Sequence, residues 1–473
     1  MGQGRGLGLC MGRIRYDAHR SKLLWRGGSV TCFVPKDMKT MMNDTPSKKE
    51  KAAAFLLGIG SGLLGLVIVA AGLYQLPSIQ ERVGWRVDFA LTYLRGVVDP
   101  VEAVPTVDIT AVDGRSVVKV TVEPVVEPAA ATLASPGVLS SARTPTVPPT
   151  PSPTSIPGKI SLIPPEYEEQ ELNNCGPATL AMYLRYFGWQ GNQATIASMV
   201  KPKKEDRNVN VEELVAYVNT QVPGLEIQYR VGGDIAMLKE FLAAGFPVMI
   251  EESFIMEESY WPNDDRWAGH YLLVTGYDDK TESFTAQDTF LGPDLSISYA
   301  KIDERWKSFN RVYLLVYPPE QRPVIQAILG DQWDVDANRR HALELAQKET
   351  EVNPDDAFAW FNVGTNLVYF ENYSQAAAAY DKARSAGLPQ RMLRYQFGPF
   401  FAYFQTNRIK DLLALTEYAL KRTPNAEEAK MWRGWAMYRQ GNRDEAERLF
   451  FEALAANPLN PDVQYAVNFL RDN

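Results

Sequence analysis

The run Gln170-Glu-Leu-Asn-Asn-Cys175-Gly-Pro-Ala-Thr-Leu-Ala-Met-Tyr-Leu184 sets a cysteine at the start of an apolar helix, five residues after a glutamine. A thiol at that place faces unpaired backbone N–H groups and the positive end of the helix dipole, which favour its thiolate. It has the makings of a nucleophile. Acyl transfer also needs donors aimed at the developing oxyanion, and Gln170 with the Cys175 backbone N–H can supply them. The run Ala268-Gly-His270-Tyr-Leu-Leu-Val-Thr-Gly276-Tyr-Asp278 holds the only histidine between residue 52 and His341, at the head of a strand-like stretch. Ser283-Phe-Thr-Ala-Gln-Asp288 follows a polar turn. An antiparallel hairpin centred near Asp279 and Lys280 places His270 opposite residue 288 or 289, with Asp288 beside the imidazole. Each residue also has a blander reading: a cysteine packs in cores, a histidine sits on surfaces, an aspartate caps turns. Their order and spacing together favour catalysis.

These residues resemble the peptidase C39-like family of papain-like cysteine hydrolases. The resemblance lies in Q-x4-C-G-P-A at 170–178, G-H-Y at 269–271 with V-T-G-Y-D after it, and Asp288 ahead of Gly292-Pro293. It implies that Cys175 is the nucleophile, His270 the general base, Asp288 its orienter and Gln170 the oxyanion-hole side chain. It covers residues 160–318. Where family members often carry Asp-Pro, this chain has Asp288-Thr-Phe.

The order of elements agrees with a papain-like α+β domain over residues 159–322. Helix-like spacing recurs at 194–200 and 211–219, Asp234 to Gly245 reads as a capped helix, and Phe246 to Ile250 as a buried strand. Residues 270–277, 283–287 and 311–317 supply further strands. A helical half carrying the thiol then meets a sheet half carrying the base. Between residues 251 and 267 runs an acidic loop rich in aromatic side chains, among them Trp261 and Trp267, which are expected to bind substrate. The domain has 25 acidic and 15 basic residues. The loop is therefore expected to rim the cleft and favour extended or basic peptides, although a solvated charged loop explains it equally well.

Outside this domain the chain changes character several times. Residues 1–51 form a basic tail, with eleven Lys or Arg against four Asp or Glu. Residues 52–74 carry no charge and are long enough to cross a bilayer as one helix. The lysines before them set the tail in the cytoplasm and the rest of the chain outside. Residues 75–99 read as an amphipathic juxtamembrane helix, lying on the membrane or forming a stalk. Residues 100–158 are a Pro-, Thr-, Ser- and Val-rich linker, expected to be extended.

Residues 323–473 read as an all-α domain of helical repeats. The segments 357–388, 393–424 and 427–458 resemble tetratricopeptide repeats, preceded by a half repeat at 341–354 and closed by a capping helix from Pro461. The middle repeat is degenerate, because Gly398-Pro399 interrupts its first helix. Such an array exposes a face suited to a peptide or protein partner.

Composition narrows the function. A net charge of −8 and a pI near 5.3 argue against nucleic acid as a partner. Cys10, Cys32 and Cys175 are too few for a disulfide framework. One histidine and one cysteine in the domain cannot build a His/Cys zinc site, and no metal or cofactor is expected. The expectation is an anchored, extracytoplasmic cysteine peptidase whose substrate is a peptide or protein. A cell-wall amidase, a transglutaminase-like acyl transferase and a retired scaffold working through its repeats remain alternatives.

Overall fold

A computed structural model describes residues 64–99, 102–106 and 156–472. The basic tail, residues 52–63 of the expected span and most of the linker lie outside the described residues. The chain divides into two units, Met1–Leu76 and Pro77–Asn473. In the first, residues 64–74 are helical, with leucine, isoleucine and valine side chains exposed. Among the described residues no helix is long and apolar enough to cross a membrane.

The second unit opens with helix α1 (Pro77–Val98). Strand β1 (Lys159–Ser161) leads into α2 (Cys175–Tyr186), α3 (Gln193–Val200) and α4 (Val211–Gln221), then β2 (Glu226–Arg230) and α5 (Ile235–Ala243). The Asn192 and Asp234 side chains accept the backbone N–H of Thr195 and Met237, so α3 and α5 begin where their cap residues dictate. Strands β3 (Val248–Ile255), β4 (Trp267–Asp278), β5 (Ser283–Asp288) and β6 (Gly292–Ser298) follow, then α6 (Tyr299–Trp306) and β7 (Tyr313–Tyr317). The sheet runs β2-β7-β3-β4-β5-β6, with β1 on β4, and every pairing is antiparallel. Helices on one side and this sheet on the other make a papain-like α+β domain.

The two faces of the sheet bury different sets. Leu272, Val274 and Tyr277 join Leu238, Phe241 and Trp306 in one core, while Tyr271 and Leu273 join the α2 residues Leu180 to Leu184 in another. Period-two alternation along β4, shifted by one residue at the bulge between Val274 and Gly276, produces this split. Helix α7 (Arg322–Leu329) belongs to the first core through Ile325 and Leu329, so the α+β domain continues past residue 322.

The remaining helices pair as expected for repeats: α8 (Val335–Val352), α9 (Ala357–Tyr369), α10 (Tyr373–Ala386), the four-residue α11 (Met392–Tyr395), α12 (Gly398–Gln405), α13 (Ile409–Arg422), α14 (Glu427–Arg439), α15 (Arg443–Ala456) and α16 (Pro461–Asp472). In the middle repeat the first helix is split. A Cβ at Gly398 would lie 2.0 Å from the Tyr380 hydroxyl, so glycine is what lets α12 start against α10. The residues before it are freed to form α11, which turns away from the repeat stack.

The repeats are not a separate bead. Phe361, Tyr380, Phe400 and Tyr403 share a continuous core with Leu180, Met249, Trp267 and Phe309 of the catalytic domain. Nor does α1 stand alone as a stalk or lie on a surface of its own. Its Asp88 pairs with Arg207 at 2.6 Å, and Asn263 Nδ2 donates to the Gly96 carbonyl at 3.0 Å. Lys421 of α13 meets Asp99 just beyond it at 2.9 Å. The stripe turned inward is Gly84, Thr92 and Gly96, while Leu91, Leu94, Val97 and Val98 are exposed. Small residues let the helix approach closely, and Phe89 packs its ring on Trp261 at 4.5 Å. Residues 102–106 of the linker also lie on the repeats: Val104 is buried, and Tyr418 and Arg384 donate to the carbonyls of Glu102 and Pro105.

Candidate active site

Cys175 is the first residue of α2 and is half buried. The turn before it is tightly held. Asn173 takes a left-handed φ of 55°, and Lys201 Nζ donates to its carbonyl at 2.7 Å. Gln193, itself buried, accepts at Oε1 from the Glu171 N–H at 2.8 Å and from Asn174 Nδ2 at 2.6 Å, and donates to the Glu169 carbonyl. One side chain thus clamps the segment that joins Gln170 to Cys175.

His270 enters from β4 and is buried. Its Nε2 lies 2.8 Å from Asp288 Oδ1, which leaves Nδ1 as the nitrogen for the thiol, and Cys175 and His270 line the same cavity. The strand register differs from expectation. Asp288 pairs with Leu272, not with His270, because the connection is a four-residue loop, 279–282, and a bulge interrupts β4 between Val274 and Gly276. His270 and Asp288 are therefore diagonal neighbours on one face, still within side-chain reach. Asp288 also caps a turn: the same Oδ1 accepts the N–H groups of Phe290 and Leu291 at 2.8 and 3.0 Å. Capping and orienting are one device, since the turn fixes the carboxylate that holds the imidazole.

The charges follow from this arrangement. Burial alone would raise the Cys175 thiol, but the hydrogen bond and charge of His270, helped by Lys201, bring it below its ordinary value. Burial likewise opposes the imidazolium, and the bonds to Asp288 and Cys175 overcome it, so His270 is raised. Burial would raise Asp288 too, and His270 with the two turn N–H groups lowers it instead. The pair is poised as thiolate and imidazolium. A further acid, Glu252, stands directly opposite His270 in the β3–β4 register, buried, with Arg305 at 3.3 Å. Burial pushes it up to about 7.

Gln170 lines the same cavity as Cys175 and His270. Its Oε1 accepts from the Thr289 hydroxyl at 2.9 Å, and its N–H bonds to the Thr289 carbonyl at 2.8 Å. With Oε1 engaged, the amide Nε2 is the end left to donate into the cavity. Thr289 is thus what the departure from Asp-Pro supplies, and nothing in the local sequence marked it. The cavity holds about 320 Å³. Cys175, His270, Asp288 and Gln170 come together there, whereas the two tryptophans part. Trp261 lines the cavity, with Arg207 over its ring at 5.1 Å and Phe89 of α1 against it.

Trp267 corrects the expectation of a substrate contact: it is buried in a stack with Phe309, Phe358 and Tyr395 that glues the catalytic domain to the repeats. Two acids of the 251–267 segment, Asp264 and Asp265, are engaged in the same way, while Glu257 and Glu258 are exposed. Asp264 pairs with Arg391 at 2.5 Å and Asp265 accepts the Gln390 N–H at 3.0 Å, so these acids hold the repeat domain and are not left to attract basic peptides.

Residues 162–314 match the model of the Peptidase_C39 like family. This segment is a C39-like domain. No curated protein matches the chain. Among solved structures the chain is similar to Xylellain, a cysteine protease from Xylella fastidiosa, at 17% identity over 35% of this chain and 87% of that one, with a TM-score of 0.27. The peptidase domain of Streptococcus ComA, a bifunctional ABC transporter, matches at 15% identity over 32% and 96%, with a TM-score of 0.24. YrrB, a TPR protein with an unusual peptide-binding site, matches at 22% identity over 28% and 68%, with a TM-score of 0.25.

Proposed function

We propose that the protein is a cysteine peptidase that hydrolyses peptide bonds through Cys175, His270 and Asp288, anchored to a membrane with its C39-like domain and repeats outside the cytoplasm. The observation that carries the reading is the bond from His270 to Asp288 at 2.8 Å beside a cavity that Cys175, His270 and Gln170 line together. In the reaction the thiolate attacks the scissile carbonyl, and Gln170 Nε2 with the Cys175 N–H receives the oxyanion. His270 then protonates the leaving amine, and water, activated by the same imidazole, releases the acid from the thioester. Asp288 holds the ring throughout. No step calls for a cofactor.

The anchor reading rests on the uncharged run 52–74 and gains support from α1, whose outer face carries exposed Leu91, Leu94, Val97 and Val98. For the repeats, a peptide or protein partner has a place to lie in a second cavity of about 450 Å³ between them and the C39-like domain, lined by Tyr229, Arg339, Phe401 and Trp432. The deciding experiment gives the full chain plain peptides, peptidoglycan fragments and amine acceptors, and identifies products by mass. Cleaved peptide bonds lost in Cys175→Ala support peptidase action. Release of wall peptides alone, or amine incorporation, assigns the thiol to an amidase or acyl transferase. Failure of iodoacetamide to label Cys175 faster than a free thiol removes the enzyme reading altogether.

A further inference from the structure

One wall of the cavity around Cys175 and His270 comes from the repeat domain, where α11 and the residue before it bring Arg391, Arg394 and Tyr395 to it. The seat is firm. A Cβ at Gly269, next to the base, would come 2.7 Å from Phe309 and 3.2 Å from Tyr395, and Gln396 Nε2 donates to the Ser308 carbonyl at 3.1 Å. The absence of a side chain at Gly269 lets α11 pack directly beside His270.

Three guanidinium groups line the cavity, and their partners differ. Arg391 is neutralised by Asp264 at 2.5 Å and Arg207 by Asp88 at 2.6 Å. Arg394 donates from Nε to Thr423 Oγ1 at 3.2 Å, and among the described residues no carboxylate lies within ion-pairing distance of it. Arg207 is itself buried, and its Nη1 has no acceptor. Burial pulls the Arg394 guanidinium down to about 10, and the charges of Arg391 and Arg207 push the same way. Burial first, and then the charge of Cys175, push Glu251 in the same lining well above the ordinary carboxylate range.

A half-buried cation in a cavity wall, with no carboxylate of the described residues within ion-pairing distance, is a site short of one anion. We infer that Arg394, in the cavity wall, forms a subsite for a substrate carboxylate, so that the enzyme selects peptides carrying an acidic side chain or a free C-terminal carboxylate. Guanidinium forks suit that group, because two parallel N–H donors match its two oxygens. The substrate assignment rests on the peptidase reading; the anion site rests on the cavity alone. The repeat domain thereby contributes to specificity as part of the cleft.

The test compares four matched peptides on the full chain, with Glu or Gln at one position and a free or amidated C terminus. One carboxylate source is expected to raise kcat/KM at least ~10-fold over its neutral counterpart, the order of a single good charge-assisted contact. Arg394→Gln is expected to bring that ratio to within about twofold of unity. The ratio is taken within each variant, so a general loss of active protein does not move it. Equal turnover of charged and neutral peptides by the wild type, or a preference that survives Arg394→Gln, overturns the inference. Should no peptide be cleaved, the Cys175→Ala chain is titrated calorimetrically with the same four peptides. Tighter binding of a carboxylate form that Arg394→Gln abolishes upholds the subsite and leaves only the peptidase reading to fail, while equal binding, or none, overturns it.

Discussion

The Thr289 hydroxyl donates to Gln170 Oε1 at 2.9 Å, and the two backbones are joined at 2.8 Å, so the amide that faces the thiol is held by the residue next to the acid of the triad. This geometry predicts a graded pair of effects. Gln170→Ala removes an oxyanion donor and is expected to lower kcat by about 10²–10³ with KM little changed. Thr289→Val keeps the volume and removes the orienting hydroxyl, leaving the amide free to rotate, so a loss of about tenfold in kcat is expected. Steady-state kinetics on peptides turned over by the wild type decide it. Equal kcat in Thr289→Val and wild type would show that the amide needs no such support.

The triad predicts a pH window with definite limbs. Cys175 is lowered and His270 raised, so the thiolate–imidazolium pair exists between them. The rate of Cys175 alkylation by iodoacetamide should already be high well below the ordinary thiol pKa, whereas peptide turnover should fall again at alkaline pH as His270 loses its proton. In Asp288→Asn the bond that raises His270 is weakened. The alkaline limb of turnover is then expected to move to lower pH and kcat to fall by about 10²–10⁴, as when the orienting acid of a triad is replaced. A limb that stays in place would assign it to another group.

How much of this was legible depends on the range of the interaction. The helices beginning at Cys175, Gln193 and Ile235 announce themselves, since apolar spacing, and for the last the Asp234 cap, act within one turn. Cys175, His270, Asp288 and Gln170 were readable as a set because each is fixed by its neighbours in sequence. The register of β4 on β5 was not, because a bulge and a four-residue loop shift pairing without changing which residues alternate. Trp267 and Asp264 misled for a different reason: their partners Phe358 and Arg391 lie roughly a hundred residues away in another domain. The break at Gly398-Pro399, visible as a flaw in the middle repeat, is what frees α11 to reach the cavity. Local sequence showed the interruption and could not show its destination.

At the other face of the domain contact, Glu213 lies among Asp206, Glu427 and Glu428, where Asn457 and Lys201 also reach in. Burial first, and then the Asp206 carboxylate, push Glu213 up to about 9. A carboxyl whose folded value exceeds its unfolded one binds more protons in the native state. Its contribution to stability is complete below the unfolded value near 4.5 and is lost as pH rises toward 9. The contact between catalytic domain and repeats should therefore weaken from pH 5 to pH 9, an interval taken from this shift. Glu213→Gln keeps the acceptor that closes the capping box with the Asn210 N–H and removes the charge. It is expected to stabilise the chain at pH 8 by on the order of 1 kcal/mol and to do little at pH 4.5. Thermal melts at the two values check it; a gain at pH 4.5 as large as at pH 8 would separate the effect from ionisation.

Helix α1 gives the last prediction, because its docking depends on atoms that are missing. A Cβ at Gly96 would sit 2.3 Å from the Pro262 carbonyl oxygen, a backbone atom that cannot swing aside. The contact also carries the Asn263 bond to the Gly96 carbonyl, the Asp88–Arg207 ion pair about two turns before it and the Asp99–Lys421 ion pair about one turn after it. Gly96→Val should therefore lever the C-terminal half of α1 from the catalytic domain. Removing one partner of a buried pair costs about 3–5 kcal/mol, and Arg207 is the buried member here, so the loss is not confined to the surface. Limited proteolysis of the full chain should then cut within residues 77–98 at least ~10-fold faster than in the wild type, as expected when local opening loses a few kcal/mol of protection. Asp88→Asn, which keeps shape and one hydrogen-bond acceptor for Arg207, should raise the rate less. If the valine leaves α1 as resistant as before, the helix is not held by this contact, and the Trp261–Arg207 wall of the cavity does not depend on it.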